Sequence, residues 1–249
     1  MSNVIVQEAL RGKVYKEMPS RNLDGADAYA RLGNRGELMN IPLTSTKHGL
    51  AEEGSYYVAT NATISTAITL TGATCTAWVA TTPTVVLVNA NSTGGANVIP
   101  DYIKFHIVGA GTAEAAVHYA ILLDSTNRYT SGGTAIVPKN ANMGISTSTS
   151  SLLYVGAITA PAASANVRQV GRGLFRNAIA VANDQYILAF GASTVSASAS
   201  QLASTTSIMQ TFPAPPVVVN PGGSLLVYLW GASMSAAPTA EFEMGFWER

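Results

Sequence analysis

A glycine-rich stretch at residues 103–123 is the part of the sequence that most resembles a ligand-binding motif. It reads IKFHIVGAGTAEAAVHYAILL, with an apolar run on each side of Gly109-Ala110-Gly111. A dinucleotide-binding fingerprint needs a third glycine or alanine where this chain has Glu114, and a helix after it. From residue 117 to 123 the side chains alternate as those of a strand do. The motif therefore predicts a β-hairpin whose glycines adopt positive φ angles in the turn, and not a nucleotide site.

Two histidines flank these glycines and would lie near each other across such a hairpin. They are His106 and His118, and two imidazoles placed in this way can share a metal ion. No cysteine or carboxylate joins them at ligand spacing, and Cys75 is the one cysteine of the chain. The sequence therefore predicts structural histidines, with no metal, no cofactor and no intrachain disulfide.

Carboxylates are scarce in the body of the chain. Between residues 54 and 240 the acidic residues are Asp101, Glu114, Asp124 and Asp184. The sequence also contains no G-x-S-x-G nucleophile motif. We therefore predict that the protein is not an enzyme and has no catalytic residues.

A pair of glutamates near the end of the sequence is the remaining acidic candidate. Glu241 and Glu243 alternate with the apolar residues of EFEMGFW. Catalytic carboxylates of glycosidases converge from opposite sides of the bond that they cleave. Neighbouring glutamates on one strand instead predict a solvated face whose reverse side is buried.

Three arginines recur every four residues in NVRQVGRGLFRN, at Arg168, Arg172 and Arg176. In a strand or a helix this spacing keeps side chains roughly on one side. Guanidinium groups bind carboxylates in a planar, two-pronged geometry, so the three arginines are candidates for contacts with a neighbouring subunit. Three solvated arginines are the other interpretation of the same spacing.

The composition argues against several partners. Charged residues are 11% of the chain and the formal net charge is zero, whereas soluble domains average about 25% charged residues. Electrostatic attraction to nucleic acid or to an anionic membrane is therefore not expected. The first residues carry charges where a signal peptide needs an apolar core, which predicts synthesis in a cytoplasm without a signal peptide.

The uneven distribution of charge predicts two regions. Residues 1–53 hold seven of the 14 basic and seven of the 14 acidic residues, together with several prolines and glycines. Such a segment buries too little apolar surface to fold alone, so we predict an extended N-terminal arm that orders on a partner. Its candidate partner-binding residues are Arg11, Lys13, Tyr15, Lys16, Arg21, Arg31 and Arg35.

Residues 54–249 read as short β-type runs separated by turn residues. β-branched and aromatic residues dominate the runs, and no long helical period competes with them. About a dozen such strands predict an all-β fold, an antiparallel, jelly-roll-like β-sandwich. The last two runs, SLLVYLW and EFEMGFW, are expected to pair as a hairpin that places Trp230 and Trp247 in one core.

Five segments of this sequence resemble those of a known protein family. The chain resembles a family of structural proteins of tailed-bacteriophage virions, associated with the head. The segments are AEEGSYYVATNATI (51–64), LLDSTNRYTSGGT (122–134), VRQVGRGLFRNAIAVANDQYILAFG (167–191), QTFPAPPVVVNPGGSLLVYLW (210–230) and EFEMGFWER (241–249).

This resemblance implies a structural role, and the hypothesis that we favour is a decoration or cement protein on the outer surface of the capsid. The arm would bind the major capsid protein and the sandwich would self-associate, as a homotrimer, with the apolar PAPPVVV stretch as a candidate contact. The alternative is a receptor- or glycan-binding module of a phage spike or tail, because such sandwiches also serve as lectins. Tyr129 and Tyr154 are the candidate aromatics for that alternative.

Overall fold

A computed structural model describes residues 46–61, 66–70, 77–111, 117–146, 148–176, 180–192, 207–231 and 236–249. The described chain has one short helix, α1 (Thr46–Glu52), followed by thirteen strands. The strands are β1 (Tyr56–Thr60), β2 (Ile68–Thr69), β3 (Val85–Val88), β4 (Val98–Gly109), β5 (Val117–Asp124), β6 (Ser131–Ile136), β7 (Lys139–Asn140), β8 (Leu152–Thr159), β9 (Arg168–Arg176), β10 (Gln185–Phe190), β11 (Met209–Ala214), β12 (Ser224–Trp230) and β13 (Thr239–Glu248).

The strands form two sheets. Sheet 1 has the order β11-β10-β4-β13-β1-β7, with β2 also paired to β13, and sheet 2 has the order β6-β8-β3-β12-β5-β9. Among the described strands, all pairs are antiparallel except β10 with β11. Apolar residues of both sheets form one buried cluster. The predicted β-sandwich is confirmed.

The strand order is that of a jelly roll. The series β1-β13-β4-β10 in sheet 1 faces the series β3-β12-β5-β9 in sheet 2. Along the chain β1, β3, β4 and β5 alternate between the sheets, as β9, β10, β12 and β13 do. Eight strands connected in this way make the two Greek keys of a jelly roll.

Sheet 2 carries apolar side chains on both faces, which explains why β12 lacks the usual alternation of apolar and polar residues. Leu225, Val227 and Leu229 belong to the core between the sheets. Leu226 and Tyr228 belong to a second apolar cluster on the outer face of sheet 2. All residues of β12 except the last are buried.

Both predicted hairpins are wrong, because each pair of consecutive strands is divided between the two sheets. β4 pairs with β13 and β10, whereas β5 pairs with β12 and β9. β12 and β13 likewise lie in different sheets. Trp230 packs against the outer cluster of sheet 2, and Trp247 stacks on Tyr56 of sheet 1. The two tryptophans therefore do not share one core.

The glycines of the GAG motif serve close approach and do not adopt positive φ angles. Gly109 and Gly111 are absent from the described residues with positive φ. A Cβ atom on Gly109 would lie 2.5 Å from Oγ1 of Thr239, and one on Gly111 would lie 2.6 Å from the carbonyl oxygen of Ala236. Glu114 lies outside the described residues. The motif thus lets β4 leave sheet 1 close beside the start of β13.

Helix α1 packs against the sandwich, although it falls within the range predicted for the arm. Leu50 is buried, and its carbonyl accepts hydrogen bonds from the backbone and the side chain of Ser55. Lys47 forms an ion pair with Asp101 of β4 at 2.8 Å. Residues 1–45 of the predicted arm lie outside the described residues.

Candidate functional site

The predicted partner-binding residues divide into two groups. Seven lie outside the described residues, and their role stays a prediction: Arg11, Lys13, Tyr15, Lys16, Arg21, Arg31 and Arg35. The other three lie on β9, an edge strand of sheet 2.

The arginines of β9 do not share one side of the strand, so the prediction from their spacing is wrong. Two register shifts interrupt the pairing of β9 with β5. Arg172 consequently lies opposite Ala120 of the outer cluster, whereas Arg176 lies opposite Val117 of the core. Arg168 and Arg172 are exposed and Arg176 is buried.

Arg176 forms a buried ion pair with Asp184. Its Nη1 lies 2.8 Å from Oδ1 of Asp184. Asp184 also accepts a hydrogen bond of 2.7 Å from the hydroxyl of Tyr186 and two from backbone N–H groups. Burial and the bond to this carboxylate raise the pKa of Tyr186. Arg176 therefore leaves the set of candidates for partner contacts, in which Arg168 and Arg172 remain.

Arg128 forms a second buried ion pair that the sequence did not reveal. It is fully buried, and its guanidinium donates to Asp124 at 2.8 Å and to the carbonyls of Ala80 and Pro161. Burial alone would raise the pKa of Asp124, but hydrogen bonds from Ser164 and the guanidinium outweigh it and hold that pKa well below its usual range. The Arg128 side chain thus connects its own loop to the loops that contain Ala80 and Pro161, over the outer face of sheet 2.

Asp101 completes a set of buried acids with structural partners. It accepts a hydrogen bond of 2.8 Å from the hydroxyl of Tyr56, besides its ion pair with Lys47. Burial and this hydrogen bond raise the pKa of Tyr56. Asp101, Asp124 and Asp184 therefore each stabilise the fold through a named partner.

The histidines lie in different sheets and do not form a common site. His106 on β4 lies 3.3 Å from a carboxylate oxygen of Glu241 on β13. His118 on β5 stacks on Trp230, with 5.4 Å between the ring centres. Within the described ranges, no group of three His, Cys, Asp or Glu residues is arranged to hold a metal ion.

A polar groove lies on the outer face of sheet 1, where β4 and β13 are paired. Its volume is about 290 Å³. Two cross-strand contacts lie side by side in it, an ion pair of Lys104 with Glu243 at 3.6 Å and a polar contact of His106 with Glu241 at 3.3 Å. The described residues that line this polar groove are Thr60, Asn61, Lys104, His106, Glu241, Phe242 and Glu243.

The glutamates of this groove lie on the face that the sequence predicted. Phe242, Met244 and Phe246 are buried in the core, and Glu241 and Glu243 point to the other side of β13. The sequence did not reveal that β4 supplies a base opposite each acid, because the β4–β13 pairing joins distant parts of the chain.

An apolar patch lies on the outer face of sheet 2. In adjacent strands Trp230, His118 and Leu174 form one row. Trp78 packs against Tyr228 of the same face, with 5.7 Å between the ring centres. Trp78 is 45% exposed and Leu174 is 37% exposed. We call Trp78, His118, Leu174 and Trp230 the apolar patch.

No match to a known protein emerges. Comparison of the chain with models of protein families, with curated proteins and with solved structures finds none. The helix that the structure describes is too short to cross a membrane.

Two further candidates from the sequence are partly buried. Tyr129 and Tyr154 stack on each other, with 3.5 Å between the ring centres, and pack against the outer cluster of sheet 2. In PAPPVVV, Val217 and Val219 belong to the core, and Val218 is 49% exposed. Pro215, Pro216 and Val218 of that stretch are exposed, so its role in a subunit contact stays a prediction.

Proposed function

We propose that this protein is a non-enzymatic structural component of a tailed-bacteriophage virion, a decoration or cement protein on the outer surface of the capsid. Its N-terminal arm binds the major capsid protein, and its sandwich associates with other copies as a homotrimer. The observation that carries the proposal is the apolar patch, an exposed aromatic surface on a jelly roll whose sheet edges are protected.

The protected edges favour association through a sheet face. On sheet 2, β6 contains Gly132 and Gly133 with positive φ and a register shift, and β9 has two register shifts and exposed arginines. On sheet 1, β7 has two residues, and β11 contains Pro213, which has no N–H to donate. Bulges, charges, prolines and short length are the devices that prevent pairing between sheet edges.

The composition of the apolar patch suits a protein interface. Tryptophan is enriched among the residues that dominate binding energy, and exposed apolar patches mark interaction sites. Arg172 is exposed on the same outer face, two residues from Leu174. It would meet a carboxylate at the rim of the contact and fix its register. The formal net charge of zero leaves little repulsion between copies,.

Sedimentation velocity of a chain that begins at residue 46 tests self-association. We expect this chain to sediment as a trimer at a protein concentration on the order of tens of micromolar, as an interface of moderate size would allow. Leu174→Lys places a charge in the patch and should shift the equilibrium to monomer. Val137→Lys is the matched control, because Val137 is 68% exposed and is not part of the patch. A monomeric parent chain, or a trimer that Leu174→Lys leaves intact, would contradict association through the patch.

Deletion of residues 1–45 tests the arm. The cut precedes α1 because Lys47 and Leu50 contact the sandwich. We expect the shortened protein to fold and to fail to co-sediment with capsids that lack the protein, whereas the full chain co-sediments. If the shortened protein occupies capsids as the full chain does, attachment lies in the sandwich.

A further inference from the structure

We propose that the polar groove of sheet 1 binds a neutral saccharide of one or two rings. The groove and the apolar patch lie on the outer faces of different sheets. The inference therefore goes beyond the proposed assembly role and does not depend on it.

The size of the polar groove limits the ligand. Its volume of about 290 Å³ lies at the lower end of small-molecule pockets, which span roughly 300–1,000 Å³. An extended peptide or a nucleotide with its phosphates would project well beyond the lining residues. One or two sugar rings are of suitable size.

The charges in the polar groove limit the ligand further. Two carboxylates face one ammonium group and one imidazole, so an anion such as phosphate finds no excess of positive charge. Every described lining residue apart from Phe242 carries a polar or charged side chain, so a wholly apolar ligand would bury these groups without hydrogen-bond partners,. A neutral ligand that both donates and accepts hydrogen bonds fits this combination.

The arrangement of donors and acceptors matches sugar hydroxyls. Glu243 lies opposite Lys104 and Glu241 lies opposite His106 in consecutive rows of the same sheet face. A carboxylate accepts hydrogen bonds and an ammonium group donates them, whereas a hydroxyl does both. Neighbouring hydroxyls of one ring can therefore donate to a glutamate and accept from a lysine at once. These four side chains are 32–35% exposed, so a ligand can reach them.

The polar groove is also held in shape before a ligand arrives. The hydroxyl of Tyr102 donates to Glu243 at 2.5 Å, which orients that carboxylate. The side chain of Asn61 accepts the backbone N–H of Phe242 and donates to the carbonyl of Thr66. Side chains that are fixed in advance lose less entropy on binding.

Saturation-transfer difference NMR of the full chain tests the site. The probes are glucose, galactose, mannose and N-acetylglucosamine with their common disaccharides, and glucuronate and inorganic phosphate as anionic competitors. We expect at least one neutral sugar to receive saturation and to resist competition by phosphate. Lys104→Met and Glu243→Gln should each weaken its binding at least tenfold. Lys139→Met is the matched control because Lys139 is exposed on β7 of the same sheet, outside the groove.

Each outcome decides the proposal. Saturation of no sugar in the panel overturns it, as does equal binding by Lys104→Met and the parent protein. Tighter binding of glucuronate or phosphate than of every neutral sugar overturns the assignment of ligand class. Urea unfolding of Glu243→Gln, which keeps the shape of the side chain, separates lost binding from lost folding. None of these results bears on sedimentation, so failure here leaves the assembly proposal standing.

Discussion

Replacing Arg128 with methionine should strongly destabilise the sandwich. Methionine keeps much of the length of the side chain but removes the donors to Asp124 and to the carbonyls of Ala80 and Pro161. Both members of the ion pair have completely buried side chains, so water cannot replace the lost partner. Removing one member of a buried pair costs about 3–5 kcal/mol. The carbonyl of Pro161 also loses this donor, which pushes the loss toward the upper end of the range, whereas the carbonyl of Ala80 still accepts from the hydroxyl of Tyr228,.

The expected change is large enough to measure by two methods. For a domain of this size each kcal/mol lowers Tm by about 2–4 °C, so Arg128→Met should melt about 6–20 °C below the parent protein. Urea unfolding should show the same loss in the free energy of unfolding without a change in the m-value. Arg168→Met is the matched control, because Arg168 is exposed and its replacement should change stability by less than about 0.5 kcal/mol,.

A double variant separates loss of the charge partner from loss of packing. Asp124→Leu combined with Arg128→Met removes both charges, and a buried pair replaced by apolar residues regains stability. We expect the double variant to be more stable than Arg128→Met alone. The reasoning is refuted if Arg128→Met unfolds within about 1 kcal/mol of the parent protein, since that is less than the cost of an uncompensated buried charge.

Three further predictions concern the interior of the sandwich. A Cβ atom on Gly173 would lie 2.5 Å from the hydroxyl oxygen of Tyr119, so Gly173→Ala should lower the free energy of unfolding by about 1–3 kcal/mol in urea, and an unchanged midpoint would show that the ring moves aside freely. The folded state holds the pKa of Asp124 below its ordinary value, so the contribution of this carboxylate to the free energy of unfolding is present above about pH 4 and is lost as the pH falls further. The free energy of unfolding of Asp124→Asn should therefore depend less steeply on pH in acid than that of the parent protein. Parallel curves of this free energy against pH for the two proteins would contradict the prediction. A chain that ends at Pro238 lacks β13, which pairs with β1, β2 and β4, and should show no cooperative thermal transition by circular dichroism; a transition at the temperature of the full chain would contradict the central position of this strand.

The positions of most strands could be predicted from the sequence, but their partners could not. SLLVYLW was predicted at 224–230 and β12 is Ser224–Trp230. Alternation shows which residues share a face, but it does not show which sheet a strand joins. In a jelly roll, strands that follow one another along the chain often pack across the core from each other, and both predicted hairpins failed for this reason.

The edge strands β9 and β6 showed the weakest strand periodicity in the sequence. β9 contains Gly171 and Gly173, which lack side chains where Ile121 and Tyr119 fill the space above them. The apolar atoms that cover this part of β9 therefore belong to β5. β6 reads SGGTAI and is exposed over most of its length. Periodicity needs alternating side chains, and neither strand has them throughout.

The only sign of the buried ion pairs in the sequence was the small number of acidic residues between residues 54 and 240. Four acids were identified between residues 54 and 240, and the three that the structure describes are all buried with partners. In a chain with so little charge, an isolated acid in a β-rich region is itself a signal of an interior ion pair. The partner was not predictable, because Arg128 lies in a loop whose path depends on the packing of other loops.

The central place of β13 has a consequence for synthesis on the ribosome. β1 and β4 are separated in sheet 1 by a strand that begins at Thr239. While the nascent chain is shorter than this, both strands present unpaired edges that can template aggregation. Pairs so distant in sequence also give a high contact order, and such folds form slowly. We therefore expect sheet 1 to close after translation has passed residue 248, and expression at low temperature or with chaperones to raise the yield of folded protein.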